Sequence, residues 1–352
     1  MNGKPVIPFL TTRSLYPENQ ESPIYFLNKW QTPIQYFYRR NHFTYPFLTQ
    51  HHFWIQISGQ VHYPRFFHYN EILSMPSKSL IVPLECAGNK RANFVPKAYG
   101  EQWEDGAISQ GKWTGVPLKD LLEKVGLLQN AQEIVFEGAD FGKKAGIQES
   151  IPFERSLPLE KALHPDTLIA YKYNDLFLNL KHGYPLRLIV PNWYAMASVK
   201  WLRKITVIDH SFKGPFQSDD YVYYPYKDSN EDKFPVTILN VNSTIQQPTH
   251  LSILNTGTYE IKGIAWTGLG TITEVQLSFD KGITWKNTTL KSLQKQYAWS
   301  KWTFIWQVEK KGEYTIYSRA KDSTGRVQPL TAFWNRKGYG YNAISNITVK
   351  VE

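Results

Sequence analysis

Apolar residues recur along this chain with two different periods, and the change of period divides it. In the first two thirds, short apolar runs of strand length appear at residues 80–84, 133–136 and 168–173. Runs of that length bounded by turn residues suit buried strands. Phe53, Ile55 and Ile57 alternate ahead of Ser58-Gly59, the mark of a hairpin strand with one buried face. The aromatics of residues 34–38 alternate too, and predict a strand ahead of the polar run Arg39-Arg40-Asn41-His42. Leu118, Leu121, Leu122 and Val125 fall on one helical face, so a helix is expected to open at Trp113 and close at Gly126. Residues 156–163 read as a second, short, capped helix. Beyond residue 236 the period becomes two, as in Tyr259, Ile261, Gly263 and Val275, Leu277, Phe279. Turns recur at Asn255-Thr256-Gly257, Asp280-Lys281-Gly282 and Lys310-Lys311-Gly312, the pattern of an antiparallel, immunoglobulin-like sandwich.

A chain of 352 residues exceeds one ordinary core. The polar connector 226–236 separates an expected domain at 31–228 from one at 229–352, and residues 1–30 read as an extended arm. The 12 Trp, 22 Tyr and 19 Phe favour β-rich structure. A single cysteine excludes a disulfide framework and any cysteine-cluster metal site. The net charge of +10 is not gathered into a dense Lys/Arg run, so the expected partner is a small anion and not a nucleic acid. The first ten residues carry no secretory pattern, and no apolar run approaches the ~18 residues that cross a bilayer. The expected location is therefore cytoplasmic, or periplasmic or extracellular if a leader has been removed.

The sole cysteine, Cys86, follows the apolar run 80–84 and stands in the loop Glu85-Cys86-Ala87-Gly88-Asn89-Lys90-Arg91. A thiolate is a soft metal ligand and a nucleophile, and nearby cations favour it. Lys90 and Arg91 supply such charge, while Ala87 and Gly88 leave room for something bulky. A lone cysteine is as readily a small buried hydrophobe, and the loop alone does not choose between the two readings. A second dense block, residues 182–202, sets His182, Arg187 and Lys200 into an otherwise apolar run. Buried unpaired charge is costly, so these residues call for anionic partners.

The cysteine loop resembles the molybdenum-ligand loop of the sulfite oxidase family, whose usual form is Cys-Ala-Gly-Asn-Arg-Arg. Further resemblances follow in order: Arg40-Asn41-His42 to the family's Arg-Asn-His motif, and Gly138-Ala139-Asp140 to its pterin-contacting turn. His182-Gly183-Tyr184-Pro185-Leu186-Arg187 is similar to His-Gly-Phe-Pro-x-Arg, and Val199-Lys200-Trp201-Leu202 to Val-Lys-Trp-Leu. Residues 263–266 and 277–285 resemble the family's dimerisation domain. Two departures are Asn192, where the family has glycine, and Lys337, where its Trp-Asn-Leu-Arg-Gly segment has arginine.

The resemblance implies an α+β fold, a mixed-sheet molybdopterin-binding domain followed by an all-β sandwich. It implies that Cys86 ligates molybdenum on a pterin cofactor. Arg40, Asn41, His42, Asp140, His182, Arg187, Ser198, Val199 and Lys200 would hold that cofactor. Arg40, Arg91, Lys337 and Tyr221 would form the pocket for sulfite or a similar small oxyanion. The implied activity is oxidation of sulfite to sulfate in a homodimer. Electrons would pass to a separate acceptor (cytochrome, quinone or oxygen), with no haem in this chain. A nitrate reductase, or another oxidoreductase of small oxyanions or sulfur compounds, is the same-fold alternative. From other classes come an aromatic-rich glycan-binding protein and a metal-free binding protein that kept the fold.

Overall fold

The computed structural model describes residues 9–48, 53–293 and 295–352, so the expected course of residues 1–8 in the arm lies outside the described residues. From residue 9 the arm is folded. Strands β1 (Thr11–Leu15) and β2 (Glu18–Glu21) form a hairpin. Residues 34–38 are not a strand. Pro33 lacks the N–H a ladder needs, and the chain turns through a 3-10 helix at Ile34–Tyr36 whose end closes with Phe37 N donating to Ile34 O at 3.2 Å.

The rest of the first part consists of β3 (Trp54–Gly59), β4 (Arg65–His68), α1 (Tyr69–Ser74), β5 (Lys78–Glu85), β6 (Ile108–Pro117), α2 (Leu118–Val125), β7 (Glu133–Lys143) and β8 (Ser150–Pro158). These are followed by α3 (Leu159–Leu163), β9 (Leu168–Tyr173), β10 (Leu176–Phe177), β11 (Arg187–Ile189) and β12 (Leu202–Ile208). One sheet runs β4-β3-β12-β7-β8 and is mixed, since β12 pairs parallel to β3. The other runs β10-β9-β6-β5, with β11 also on β9. Trp113 lies in β6 opposite Leu80 and Tyr173, and Ser156 lies in β8. Both helices therefore start later than expected, after Pro117 and Pro158, whose fixed φ suits a helix entrance. The apolar face of α2 is buried as expected, and Gly126 closes it at φ +63. Strand β7 continues to Lys143 through a register shift between Glu137 and Phe141, a bulge that carries Gly138-Ala139-Asp140.

A short pair, β13 (Val222–Tyr223) and β14 (Phe234–Pro235), spans the connector. Beyond it come β15 (Asn242–Gln247), β16 (Ile253–Leu254), β17 (Gly257–Trp266), β18 (Ile272–Ser278), β19 (Lys286–Asn287), β20 (Thr289–Lys291), β21 (Ser300–Val308), β22 (Gly312–Asp322) and β23 (Ser345–Val351). They form two sheets, β15-β17-β21-β20 and β16-β23-β22-β18-β19, around Ile261, Val275, Leu277, Trp302, Ile316 and Val349. Period two puts these side chains on the inner faces. Trp266, Trp299 and Tyr339 instead join the core of the first part, so the sandwich packs directly against it. Among the described residues no helix is long and apolar enough to cross a membrane.

Candidate active site

Strand β5 ends at Glu85 and delivers Cys86 to the lining of a pocket. The cysteine is 7% exposed. Its backbone is fixed on both sides: Cys86 N donates to Ala107 O at 2.9 Å, and Asn89 N donates to Cys86 O at 2.9 Å. The Asn89 side chain accepts from Ala107 N at 3.0 Å and donates to Glu85 Oε1 at 3.0 Å. Burial raises the Cys86 thiol above its ordinary pKa, against the pull of Arg40 and Arg91. Lys90 takes no part in that pull, contrary to the reading of the loop. Its ammonium is turned away into the sandwich, donating to Asn242 Oδ1 and Ser243 O at 2.8 Å each.

Arg40, Asn41 and His42 line the same pocket as Cys86. The arm hairpin holds them there. Gln20 and Arg39 exchange backbone hydrogen bonds of 2.9 and 2.7 Å, Asn41 N donates to Asn19 Oδ1 at 2.8 Å, and Asn41 Nδ2 donates to Glu18 O at 2.7 Å. His42 stacks on Phe153 at 4.7 Å, and burial with Arg40 and Lys200 nearby keeps its pKa well below the ordinary value. It is neutral at pH 7.

His182, Arg187, Ser198, Val199 and Lys200 form another wall, and the bulge of β7 adds Asp140. Arg187 Nη1 donates to His182 O at 2.9 Å and Nη2 to Ser198 O at 3.0 Å, while its buried Nε has no partner. Ser198 Oγ accepts from Val190 N at 3.0 Å. Lys200 Nζ donates to Arg40 O at 3.2 Å and to Asn41 Oδ1, joining this wall to the previous one. Burial lowers Arg187 to about 10 and Lys200 to about 7, and raises Asp140 to about 6. Asn192 sits at φ +70, a left-handed conformation that asparagine tolerates in place of glycine.

Tyr221 lines the pocket with its hydroxyl 3.1 Å from His42 Nε2. Arg91 and Lys337 are placed differently from these residues. Arg91 runs behind the cysteine loop, where Nε donates to Lys337 O at 2.9 Å and Gly338 O at 3.2 Å and Nη1 donates to Glu101 O at 2.9 Å. Lys337 Nζ donates to Asp219 O at 2.8 Å and pairs with Asp220 at 3.1 Å. Neither lines the pocket. Three residues escaped the sequence reading. Arg39 and Lys181 line the pocket mouth and share Glu18, at 3.0 and 3.1 Å. Their signal was adjacency, one beside Arg40 and the other beside His182. Arg155, in β8, is 1% exposed with no carboxylate partner among the described residues, and nothing in its local pattern marked it.

Among the described residues no three His, Cys, Asp or Glu side chains converge to hold an ion by themselves. A metal at Cys86 therefore needs ligands that arrive with a cofactor, which molybdopterin's dithiolene supplies. The unpartnered Arg187 Nε, and a lysine whose charge burial disfavours, fit a phosphate-bearing ligand. The residues fit the group.

Two family descriptions match the chain: the oxidoreductase molybdopterin binding domain over residues 42–216, and the Mo-co oxidoreductase dimerisation domain over residues 233–352. It is 31% identical to the mitochondrial sulfite oxidase of Drosophila melanogaster, over 97% of this chain and 63% of that protein. With the sulfite oxidase of Gallus gallus the identity is 31% over 94% and 76%. With the NADH nitrate reductase of Ulva prolifera it is 31% over 96% and 42%. The chain thus spans less than two thirds of the fly and algal proteins. The solved structure of the sulfane dehydrogenase SoxCD from Paracoccus pantotrophus superposes with a TM-score of 0.84 at 28% identity, covering 96% of this chain and 85% of that one.

Proposed function

The chain belongs to the sulfite oxidase family of molybdopterin-binding oxidoreductases, and from that premise we propose that it oxidises sulfite to sulfate. Sulfite and water yield sulfate, two protons and two electrons, and the electrons go to a separate acceptor (a cytochrome, a quinone or oxygen). When bound, the molybdenum cofactor supplies the two-electron exchange. Cys86 would ligate the metal. His182, Arg187, Ser198, Val199 and Lys200, with Asp140, Asn41 and His42, would hold the pterin and its phosphate.

One observation carries the sulfite reading. Arg40 and Tyr221 line the same pocket as Cys86, and Arg40 is a cation there with no carboxylate partner within 4.0 Å among the described residues. Arg40 would bind the anion's oxygens and Tyr221 would donate a hydrogen bond as charge moves. Arg91 and Lys337 would contribute to the anion's field. Arg91 acts from behind the cysteine loop, and Lys337 only when released from Asp220. We take residues 31–228 as the cofactor-binding unit, with 1–30 as its arm and 229–352 as the unit through which two copies pair.

The reductase reading rests on equal identity to nitrate reductases. Both readings are tested on protein purified from a host that makes the cofactor, assayed with sulfite plus an electron-accepting dye and with nitrate plus a reduced one. Turnover of sulfite alone is expected. Turnover of nitrate alone overturns the proposal.

A further inference from the structure

The C-terminal sandwich sends one aromatic ring, from the loop between β22 and β23, toward the pocket. Tyr339 stands in Lys337-Gly338-Tyr339-Gly340, with glycines at φ +60 and +65 on either side. Neither glycine can be replaced without collision: a Cβ at Gly338 would lie 2.6 Å from Ala98 Cβ, and one at Gly340 would lie 2.3 Å from the Tyr223 hydroxyl. Asn335, fully buried, accepts from Tyr339 N at 2.9 Å and donates to Tyr339 O at 2.8 Å. Gly340 N donates to Ala87 O at 2.8 Å, so this loop is docked on the cysteine loop itself. The backbone of Tyr339 is therefore held at every point.

Its ring is the middle of a column. Arg155 Cζ lies 5.2 Å from the centroid of Tyr221, Tyr221 stacks on Tyr339 at 5.4 Å with 25° between planes, and Arg91 Cζ lies 5.0 Å from the centroid of Tyr339. A cation over an aromatic face and an offset ring pair are both attractive, more so when desolvated. Tyr339 is 9% exposed and does not line the pocket. The Tyr221 hydroxyl bonds His42, but one hydrogen bond leaves the plane of a phenol free to rock.

We propose that Tyr339 is a positioning residue for Tyr221, fixing the plane of the pocket phenol by stacking from the C-terminal sandwich. The inference rests on the reading of Tyr221 as the hydrogen-bond donor to the substrate. A donor that acts chiefly in the transition state must be oriented before the reaction, so loss of the stack falls on kcat and spares ground-state binding.

Tyr339→Met removes the ring and keeps an unbranched apolar side chain, and Tyr339→Phe keeps the ring. Tyr339→Phe is expected to hold kcat within about twofold, while Tyr339→Met lowers kcat about tenfold with KM within about threefold. A second readout needs neither turnover nor cofactor. With 3-fluorotyrosine placed at position 221 of the cofactor-free protein, the ¹⁹F resonance should shift and broaden with Tyr339→Met and stay in place with Tyr339→Phe. If Tyr339→Met does not fold, Arg155→Gln, which opens the other end of the column, should move the same resonance. A resonance unmoved by loss of the ring overturns the proposal. So does a Tyr339→Met enzyme with wild-type kcat. Loss of molybdenum with an unmoved resonance also overturns it, since Tyr339 would then serve the cysteine loop through Arg91. If the wild type turns over nitrate alone, the sulfite reading fails, while the ¹⁹F measurement still decides the stack.

Discussion

Lys90 Nζ lies 2.8 Å from Asn242 Oδ1, so the fourth residue after the cysteine is anchored in β15, the first strand of the C-terminal sandwich. Lys90 is 1% exposed and holds the left-handed conformation at φ +63. Around it, Glu85 accepts from Trp266 Nε1 at 2.8 Å and from Asn89 at 3.0 Å. Burial raises Glu85 to about 7. The cysteine loop is thus shaped from two sides, by the sheet that delivers it and by the sandwich that grips it.

Lys90→Met should consequently weaken the whole chain and not the loop alone. It leaves Ser243 O without its donor in a buried setting, while Asn242 Oδ1 keeps only the 3.1 Å bond from Gln328. An unsatisfied buried acceptor costs ~1–3 kcal/mol. Chemical denaturation of the variant should show a loss of that order, with a lower molybdenum content in purified protein. Wild-type stability would show that the latch is energetically idle.

Cys86→Ser should leave the fold intact, since the site is small and the backbone bonds to Ala107 and Asn89 remain. Turnover should be lost, because an alcohol is a harder and far less acidic ligand than a thiol. The wild type should carry close to one molybdenum per chain by elemental analysis. Full activity in the serine variant would sink the assignment of Cys86.

Lys200 gives the cofactor-free protein a pH signature. Burial lowers its pKa from the ordinary 10.5 to about 7 in the folded state. Between those values the unfolded chain binds more protons than the folded one, so stability rises with pH from about 7 toward 10.5. The slope from one such group is at most ~1.4 kcal/mol per pH unit. Unfolding curves of the cofactor-free wild type at pH 7, 8 and 9 should show the rise, and Lys200→Met should flatten it. An equal slope in both proteins would place the titration elsewhere.

Local order and local chemistry were the legible parts of the sequence. Period two disclosed the sandwich strands because their inner faces are mostly apolar, and the face of α2 declared itself through Leu118, Leu121, Leu122 and Val125. Element starts were misjudged where proline decides, at Pro33, Pro117 and Pro158, since the strand-to-helix switch lies in backbone geometry and the side-chain pattern runs on. Cys86, Arg40, His182, Arg187, Lys200 and Tyr221 line one pocket. The direction of each basic side chain was not legible. Lys90, Arg91 and Lys337 read alike as free cations, yet each is committed to an oxygen acceptor contributed by a distant segment. Arg155 and Tyr339 were invisible because their meaning comes from a stack on Tyr221 that brings together segments far apart in the chain.

That difference in commitment ranks the cations of the pocket, and kinetics can read the ranking. Arg40 lines the pocket and has no carboxylate partner within 4.0 Å among the described residues, whereas Lys337 is paired with Asp220, which also holds Lys144 at 3.1 Å. An anion entering the site meets the full charge of Arg40 and a largely neutralised Lys337. Arg40→Gln should raise KM for sulfite by about 30-fold or more, since losing one partner of a desolvated charge pair costs ~2–5 kcal/mol. Lys337→Met should move KM by no more than about fivefold, the scale of a part-exposed ion pair worth ~1 kcal/mol or less. Tyr221→Phe should act on the other constant, slowing kcat by roughly one to two orders of magnitude while KM holds, because its hydrogen bond strengthens only as charge moves. Asp220→Asn tests the neutralisation itself. It releases Lys337 and Lys144 toward the pocket, so KM for sulfite should fall. A Lys337→Met variant as impaired as Arg40→Gln would mean that the Lys337–Asp220 pair opens whenever substrate binds and that Lys337 is a true anion ligand, and a KM that rises in Asp220→Asn would overturn the neutralising role given to Asp220.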